Sequence, residues 1–282
     1  MARKLLLAAA IMSLGMLMIP LGDSAGKLLT GLGADPLFIT WARFTGGMML
    51  IAPFVLRRRA ILLLKDWRIW FRASLQALTV ITILTALGTE PIANVYGAFF
   101  LGPLVSYLLS ITLLREEGNR LRLVLLLIGL AGVFLVVKPG FGMSSGLAWA
   151  LLSGLLYGAF LTASRWVQPL GKPMDLLLTQ LMVSAILMAP LGVSAAPDAM
   201  PWGLLAWSSA ASLLGNLLLI FAYARAGASF LAPFIYIQLL GAMLYGVLFF
   251  ETWPDGLALT GLAVIFISGF ATLFLRTNRR VA

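Results

Sequence analysis

The stretch between Glu90 and Glu117 constrains the fold most strongly. Residues 91–114 carry no charge, although a glycine and a proline at 102–103 interrupt the run. An α-helix rises 1.5 Å per residue, so about 20 apolar residues cross the ~30 Å hydrocarbon core of a bilayer. A second uncharged stretch, residues 226–250, lies between Arg225 and Glu251 and has the same layout. The sequence therefore predicts two membrane spans of matching design.

The composition extends this prediction to the whole chain. Of the 282 residues, 61% are hydrophobic and 11% are charged, and the mean hydropathy is +1.02. A soluble domain is about half apolar and about a quarter charged. The apolar runs are continuous rather than alternating, which excludes a membrane β-barrel. We predict an all-α membrane protein with ten transmembrane helices, at residues 4–28, 36–56, 67–88, 91–114, 120–137, 145–167, 173–192, 201–222, 228–250 and 256–275.

The basic residues predict the orientation of these spans. If the N-terminus is cytoplasmic, 17 of the 20 lysines and arginines fall on the cytoplasmic side, and the exceptions are Lys27, Arg43 and Lys138. Cytoplasmic loops of membrane proteins carry such an excess. We therefore expect both termini to be cytoplasmic (N-in/C-in). The same rule explains the net charge of +10 as loop charge beside a lipid bilayer, without a nucleic-acid partner.

The two halves of the chain resemble each other. Adding 135 to a number in the first span described above gives its counterpart in the second, so that Ala93 matches Ala228 and Pro103 matches Gln238. The Gly-Leu-Ala of 129–131 recurs at 261–263, an offset of 132. Repeated spans that glycine and proline interrupt, at corresponding places in two halves, indicate a transporter binding site.

The turn-rich segment 138–146 divides five predicted helices from five. We predict a first repeat at residues 1–141 and a second at 142–282, in a single transmembrane domain. Because five is odd, the second repeat enters the membrane inverted relative to the first, which gives a pseudo-two-fold axis in the membrane plane. Two such halves can pack in two ways, one open to each side of the membrane, which is the basis of alternating access.

Several motifs together resemble the drug/metabolite transporter superfamily in its EamA-type ten-helix branch. They are ADPLFITWARF at 34–44, Ala93 with Pro103, the glutamate that closes the fourth span, and GLAGVFLVV at 129–137. Within that branch the chain most resembles the YddG-type exporters. The resemblance implies a multi-pass protein of the bacterial inner membrane that exports aromatic and other neutral amino acids as a monomer, without a cofactor or enzymatic activity. Gln238, where the first half has Pro103, departs from the symmetry and predicts a less kinked ninth helix.

Uncharged polar residues within the spans are the candidate substrate ligands. Amides and hydroxyls suit the two ends of a zwitterion, and aromatic walls suit an apolar side chain. Hydrogen bonding between helices is the alternative role for these residues. The candidates are Gln76, Thr79, Thr82, Asn94, Tyr96, Tyr157, Asn216, Tyr236 and Gln238.

Four further residues are candidates for gating or structure, namely Asp23, Lys27, Arg43 and Pro103. Asp23 and Lys27 are four residues apart and are predicted to pair on one helix face. Arg43 lies within a span, so it should reach the interface or pair with Asp35 or Asp23. No relay of buried carboxylates is predicted, which favours facilitated movement; Asp23 is the first candidate if protons are coupled.

Other functional classes would require different residues in the spans. A phosphorylated substrate would need Lys or Arg deep in the cavity, and the sequence predicts none there. An exporter of cationic drugs would need an anionic residue in the cavity, which only Asp23 could supply. An integral-membrane enzyme or a channel is a further alternative, but with no His and no Cys neither a catalytic nor a metal site is predicted.

Overall fold

The computed structural model describes residues 2–115, 118–138, 143–197, 199–226 and 231–271, and these residues form helices and connecting turns without strands. Short 3₁₀ helices at Gln168–Leu170 and Ala232–Tyr236 join two of the α-helices to their neighbours. The α-helices are α1 (Ala2–Gly31), α2 (Pro36–Val55), α3 (Arg58–Leu63), α4 (Trp67–Thr89), α5 (Ile92–Phe99), α6 (Gly102–Leu113), α7 (Arg120–Val137), α8 (Ser145–Val167), α9 (Pro173–Ser194), α10 (Trp202–Tyr223), α11 (Ile237–Phe250) and α12 (Gly256–Ala271).

The described residues contain eight helical segments that are long and apolar enough to cross a bilayer. One of these is Ile92–Leu113, which combines α5 and α6, and two shorter apolar helices, Phe234–Phe250 and Gly256–Ala271, follow later in the chain. Large apolar side chains such as Phe54, which is 79% exposed, cover the outside. The predicted all-α, multi-pass membrane class is therefore confirmed. The short helix α3 was not predicted.

Polar caps set several helix starts. Asp35 accepts a hydrogen bond from the Leu37 amide (2.7 Å) at the start of α2, and Asp66 accepts one from the Arg68 amide (2.9 Å) at the start of α4. Such side chains satisfy amides that have no partner within the helix. Because α4 begins at Trp67, Arg72 lies in its second turn and not in a loop.

The fourth span is interrupted where the sequence predicts. Helix α5 ends at Phe99, and α6 begins at Gly102 with Pro103 in its first turn, where a missing amide hydrogen costs nothing. The ninth span is interrupted as well, because the 3₁₀ helix Ala232–Tyr236 precedes α11. Gln238 occupies the first turn of α11 as Pro103 does in α6, so a break in the α-helix precedes both residues, and the prediction of a less kinked ninth helix stays a prediction. The 3₁₀ helix contains a proline of its own in its first turn, at position 233.

The helices pack in a regular set of pairs. Helix α1 packs on α10 and α11, α8 packs on α4 and α6, α2 packs on α9, and α7 packs on α12. The last pair approaches closely: a Cβ on Gly132 would lie 2.7 Å from the Gly261 carbonyl oxygen, and a Cβ on Gly261 would lie 2.5 Å from that of Gly132. Small residues permit such close contact between membrane helices.

Some sequence predictions fall outside the described residues. They concern the glutamates that close the fourth span, one member of the repeat match, the divide between the two repeats, and the C-terminal cations: Glu116, Glu117, Ala228, the boundary at 141/142, Arg276, Arg279 and Arg280.

Candidate functional site

A cavity of about 950 Å³ lies between α1, α2, α4, α5, α8, α9 and α10. The exposed residues Arg57, Gln168 and Lys172 line one end of this cavity, which is therefore its mouth. The buried residues Asp23 and Arg43 line its other, closed end. Helices from both halves of the chain contribute, and the volume lies in the range typical of small-molecule sites.

A buried ion pair closes the inner end. Arg43 Nη2 lies 2.8 Å from Asp23 Oδ1, and the two side chains are only 8% and 6% exposed. The Tyr96 hydroxyl donates to Asp23 Oδ2 (2.6 Å), and Arg43 Nη2 also donates to Ser212 Oγ. These four residues, which we call the lock, join α1, α2, α5 and α10. These contacts satisfy both carboxylate oxygens of Asp23, as a buried ion pair requires, whereas Arg43 Nη1 is buried without a hydrogen bond to the described residues.

Lys27 does not pair with Asp23, contrary to the prediction from their spacing. Its ammonium group donates instead to the carbonyl oxygens of Leu87 (2.5 Å) and Glu90 (2.7 Å). These carbonyls lie at the C-terminal end of α4, where they have no partner within the helix and attract a cation. Asp23 is thus free for Arg43, one of the partners considered for it from the sequence.

Five of the nine predicted substrate ligands line the cavity, and four do not. Thr82 donates to the Leu78 carbonyl oxygen of its own helix (2.8 Å). The Tyr236 ring packs 5.1 Å from Phe100, away from the cavity. The residues in the wall are Gln76, Thr79, Tyr96, Tyr157 and Asn216, and those outside it are Thr82, Asn94, Tyr236 and Gln238.

The other two predicted residues outside the cavity wall are Gln238, which contacts the lock, and Asn94. Gln238 is 4% exposed and lies next to the Tyr96 hydroxyl. Asn94 Oδ1 is buried without a hydrogen bond. Both residues lie in spans whose polar positions were counted from the sequence without knowledge of which face meets the cavity. Neither residue lines the cavity in this structure, and a role for them in substrate binding stays a prediction.

An aromatic row lines one wall of the cavity. The ring centroids of Tyr96 and Phe99 lie 5.9 Å apart, those of Phe99 and Tyr157 4.5 Å, and those of Tyr157 and Phe160 6.0 Å. Such separations are typical of favourable aromatic pairs. Phe99 and Phe160 were missed from the sequence. The three-residue spacings 96/99 and 157/160 place each pair on one helix face, so this signal could have found them.

The expectation that the cavity holds no Lys or Arg was wrong. Arg43 and Arg72 both line it within the spans, each 8% exposed, and Arg57 and Lys172 line its mouth. Asp175, in the first turn of α9, also lines the cavity and is 6% exposed. The site therefore offers charges of both signs to a ligand.

The cavity wall also holds two glutamines with unused acceptors. Gln76 Oε1 on α4 and Gln180 Oε1 on α9 are buried without hydrogen bonds to the described residues. An unsatisfied buried acceptor costs about 1–3 kcal/mol. Because both residues line the cavity, a small rotation of either amide would present a donor or an acceptor to a ligand.

The fold is shared with a protein of known structure. A solved crystal structure aligns over 98% of this chain and 99% of its own, with a TM-score of 0.68 at 19% sequence identity. At this level of identity the likeness concerns the fold. No family model matches the chain, and no curated protein matches it.

Proposed function

We propose that this protein is a secondary transporter of the EamA type that exports small neutral solutes, aromatic and other neutral amino acids first among them, across a bacterial inner membrane. The observation that carries the proposal is the cavity of about 950 Å³ within an all-helical membrane protein. It is open at one end and closed at the other by the lock. A carrier caught in one of its two states has this form.

The pairing of the helices supports two inverted repeats. In the two halves α1 corresponds to α8, α2 to α9, α4 to α10, α6 to α11 and α7 to α12. Under this exchange, the contact of α1 with α10 corresponds to that of α8 with α4. The contact of α6 with α8 corresponds to that of α11 with α1. The pairs α2 with α9 and α7 with α12 exchange with themselves. All of these contacts are present, as an arrangement related by a two-fold axis requires. Such halves can rock about a fixed central site.

The proposed orientation makes this state inward-facing. The mouth residues Arg57 and Lys172 belong to the positively charged segments that are expected on the cytoplasmic side. The lock would then close the path to the outside, and an exported solute would enter from the cytoplasm. One chain encloses the whole cavity, which fits transport by a monomer.

Export of cationic drugs is the second candidate. Asp23, the carboxylate expected to attract them, has both oxygens engaged by Arg43 and Tyr96. Asp175 is a second carboxylate in the wall, and it favours this alternative. Three further cations, Arg57, Arg72 and Lys172, line the same half of the cavity, and they oppose it through like-charge repulsion. We therefore place neutral amino acids first.

Counterflow in proteoliposomes tests the proposal. Vesicles loaded with an unlabelled neutral amino acid should take up the labelled compound saturably, without an imposed ion gradient. Unlabelled phenylalanine, methionine or threonine should compete. Uptake of a cationic dye in place of amino acids would support the second candidate, and non-saturable flux would indicate a channel. Exchange that needs a pH gradient would contradict facilitated movement and indicate proton coupling, for which Asp23 and Asp175 are the candidate carboxylates.

A further inference from the structure

Arg72 is a buried cation without an anionic partner among the described residues. Its guanidinium donates from Nε to Ser164 Oγ (2.8 Å) and from Nη1 to the Leu176 carbonyl oxygen (3.1 Å). No carboxylate of the described residues lies within 4 Å of it. A charge removed from water is stable only when it is paired. Because Arg72 lines the cavity and its Nη2 group has no hydrogen bond to the described residues, this group is available to a ligand.

Asp175 is a buried anion in the same region, and it too lacks a partner. The structure shows no hydrogen bond or ion pair to its side chain from the described residues, although it is 6% exposed. It directly precedes Leu176, whose carbonyl oxygen binds Arg72. The two opposite charges are therefore neighbours in the cavity wall, yet they do not form an ion pair within 4 Å.

The wall beside these charges is aromatic. The Arg72 guanidinium lies over the Phe160 ring, 5.1 Å from its centroid. Phe160 continues to Tyr157 along the aromatic row. A ligand held at Arg72 therefore has an apolar surface next to it, which favours an apolar or aromatic substituent.

We propose that Arg72 and Asp175 bind the two ends of a zwitterionic α-amino acid, with the carboxylate on Arg72, the ammonium group on Asp175 and the side chain against Phe160 and Tyr157. The inference rests on the proposed transport function and names its substrate class. Planar guanidinium groups are suited to carboxylates. An α-amino acid carries both charged groups on one carbon, so it can bridge two opposite charges that do not reach each other.

Substrate analogues test this assignment on the unaltered protein. In counterflow of labelled phenylalanine, the competitors are phenylalanine, phenylalaninamide and 3-phenylpropionate. The amide lacks the carboxylate, and the propionate lacks the ammonium group. Hydrogen bonds to charged groups are among the stronger ones. The concentration of each analogue needed for half-inhibition should therefore be at least about 10-fold higher than that of phenylalanine. Equal competition by either analogue would overturn the assignment of the group that it lacks.

Two variants then assign each end to its residue. Arg72→Gln should abolish the preference for phenylalanine over the amide and keep the preference over 3-phenylpropionate. Asp175→Asn should do the reverse, and Arg72→Lys should restore part of the first preference. Lys172→Gln is the matched control, because Lys172 is an exposed cation of the same cavity. It should change both ratios much less than Arg72→Gln does, because it alters only the general charge of the mouth.

The outcomes separate this inference from the proposed function. If the unaltered protein exchanges amino acids but Arg72→Gln and Asp175→Asn keep both ratios, the function stands and the inference is overturned. The same holds if Lys172→Gln changes the ratios as Arg72→Gln does, since the cause is then the general charge of the mouth. If the unaltered protein exchanges no amino acid, both proposals fail. The analogue ratios of the unaltered protein decide the matter even if a variant does not fold.

Discussion

The two ends of the cavity arrange their buried charges in opposite ways. At the closed end, Asp23 and Arg43 bind each other at 2.8 Å, and Tyr96 and Ser212 satisfy them further. Near the mouth, Arg72 and Asp175 are equally buried and carry opposite charges, but they do not pair. Each end contains one buried aspartate and one buried arginine. The difference between the two ends therefore lies in how the two charged groups are placed relative to each other.

This contrast separates a structural role from a binding role. A buried ion pair whose two charges neutralise each other has less to gain from a charged ligand, and separating it is costly. A buried charge without a counterion gains most when an oppositely charged group arrives. The closed end therefore holds helices together, whereas we propose that the charges near the mouth bind a ligand. The following predictions test this distinction, beginning with the largest effect.

Asp23→Ala should have the largest effect. It leaves Arg43 buried without a counterion, which costs about 3–5 kcal/mol of unfolding free energy, and it should also abolish transport because the lock no longer closes. Replacing both partners, Asp23→Ala with Arg43→Met, should recover most of the stability and none of the transport. Thermal unfolding in detergent measures the first quantity and counterflow the second. A double variant no more stable than Asp23→Ala would contradict the assignment.

Tyr96→Phe should have a smaller effect of the same kind. It removes one hydrogen bond to a charged oxygen, worth about 1.5–3 kcal/mol, and keeps the ion pair. We expect slower counterflow and a lower unfolding temperature. Tyr107→Phe is the control, because the Tyr107 hydroxyl bonds the Asn119 carbonyl oxygen (2.8 Å) far from the lock. It should reduce stability without a change in transport rate per folded molecule.

Gln76→Ala should change substrate affinity more than stability. Gln76 lines the cavity with a free acceptor, so its loss should raise the KM for counterflow about tenfold if it binds substrate. Thr82→Val on the same helix is the matched variant, since Thr82 bonds only carbonyl oxygens of α4. Its KM should stay within about twofold of the unaltered protein, given the modest worth of such bonds in membranes. Equal KM values for the two variants would exclude Gln76 from the site.

Lys138→Ala should have the smallest effect, and it shows what an ion pair is worth outside the lock. Lys138 binds Asp255, whose side chain is 53% exposed, and this contact holds the pKa of Asp255 below its ordinary value. The stabilisation is therefore present above the ordinary carboxyl pKa of about 3.9 and is lost as the pH falls through the lower folded value. We expect at most about 1 kcal/mol at neutral pH, and less in high salt.

Unfolding of the unaltered protein and of Lys138→Ala at several pH values measures this contribution. The difference between them should vanish once the pH lies below the folded pKa of Asp255. A difference that persists there would show that Lys138 stabilises the protein through other contacts. Comparison with Asp23→Ala then shows how much more a buried ion pair contributes to the unfolding free energy than an exposed ion pair does in the same molecule.

The sequence predicts the helices of this protein well and the partners of its charged residues poorly. Hydropathy is a local property, so the spans and the interruption at Pro103 could be read directly. Pairing depends on which faces of distant helices meet. The spacing of Asp23 and Lys27 suggests a local pair, but Arg43, twenty residues from Asp23, offers a better-buried partner, and the end of α4 attracts Lys27.

Arg72 shows the same limit for the site. Because Arg72 lies near the start of a span, the sequence predicts that it is one of the cytoplasmic basic residues that set the orientation of the chain. The excess of basic residues on that side agrees with this prediction. The structure shows instead that the second turn of α4 faces the cavity, one helical turn before Gln76. Asp175 lies in the first turn of α9, where the sequence alone indicates only the end of a helix. The face that each helix turns to the cavity was the missing information.

The complete engagement of Asp23 has a consequence for cellular energetics. Moving one elementary charge across 100 mV requires about 2.3 kcal/mol, whereas a zwitterion carries no net charge and does no electrical work. With its one deeply buried carboxylate at the closed end bound by Arg43 and Tyr96, the cavity offers no free acceptor there for a coupled proton. If Asp175 binds the ammonium group of the substrate, as proposed, neither carboxylate is left for a coupled proton, and such a carrier would follow concentration alone. It would act as an overflow valve that relieves accumulation of a metabolite and stops when the two sides are equal.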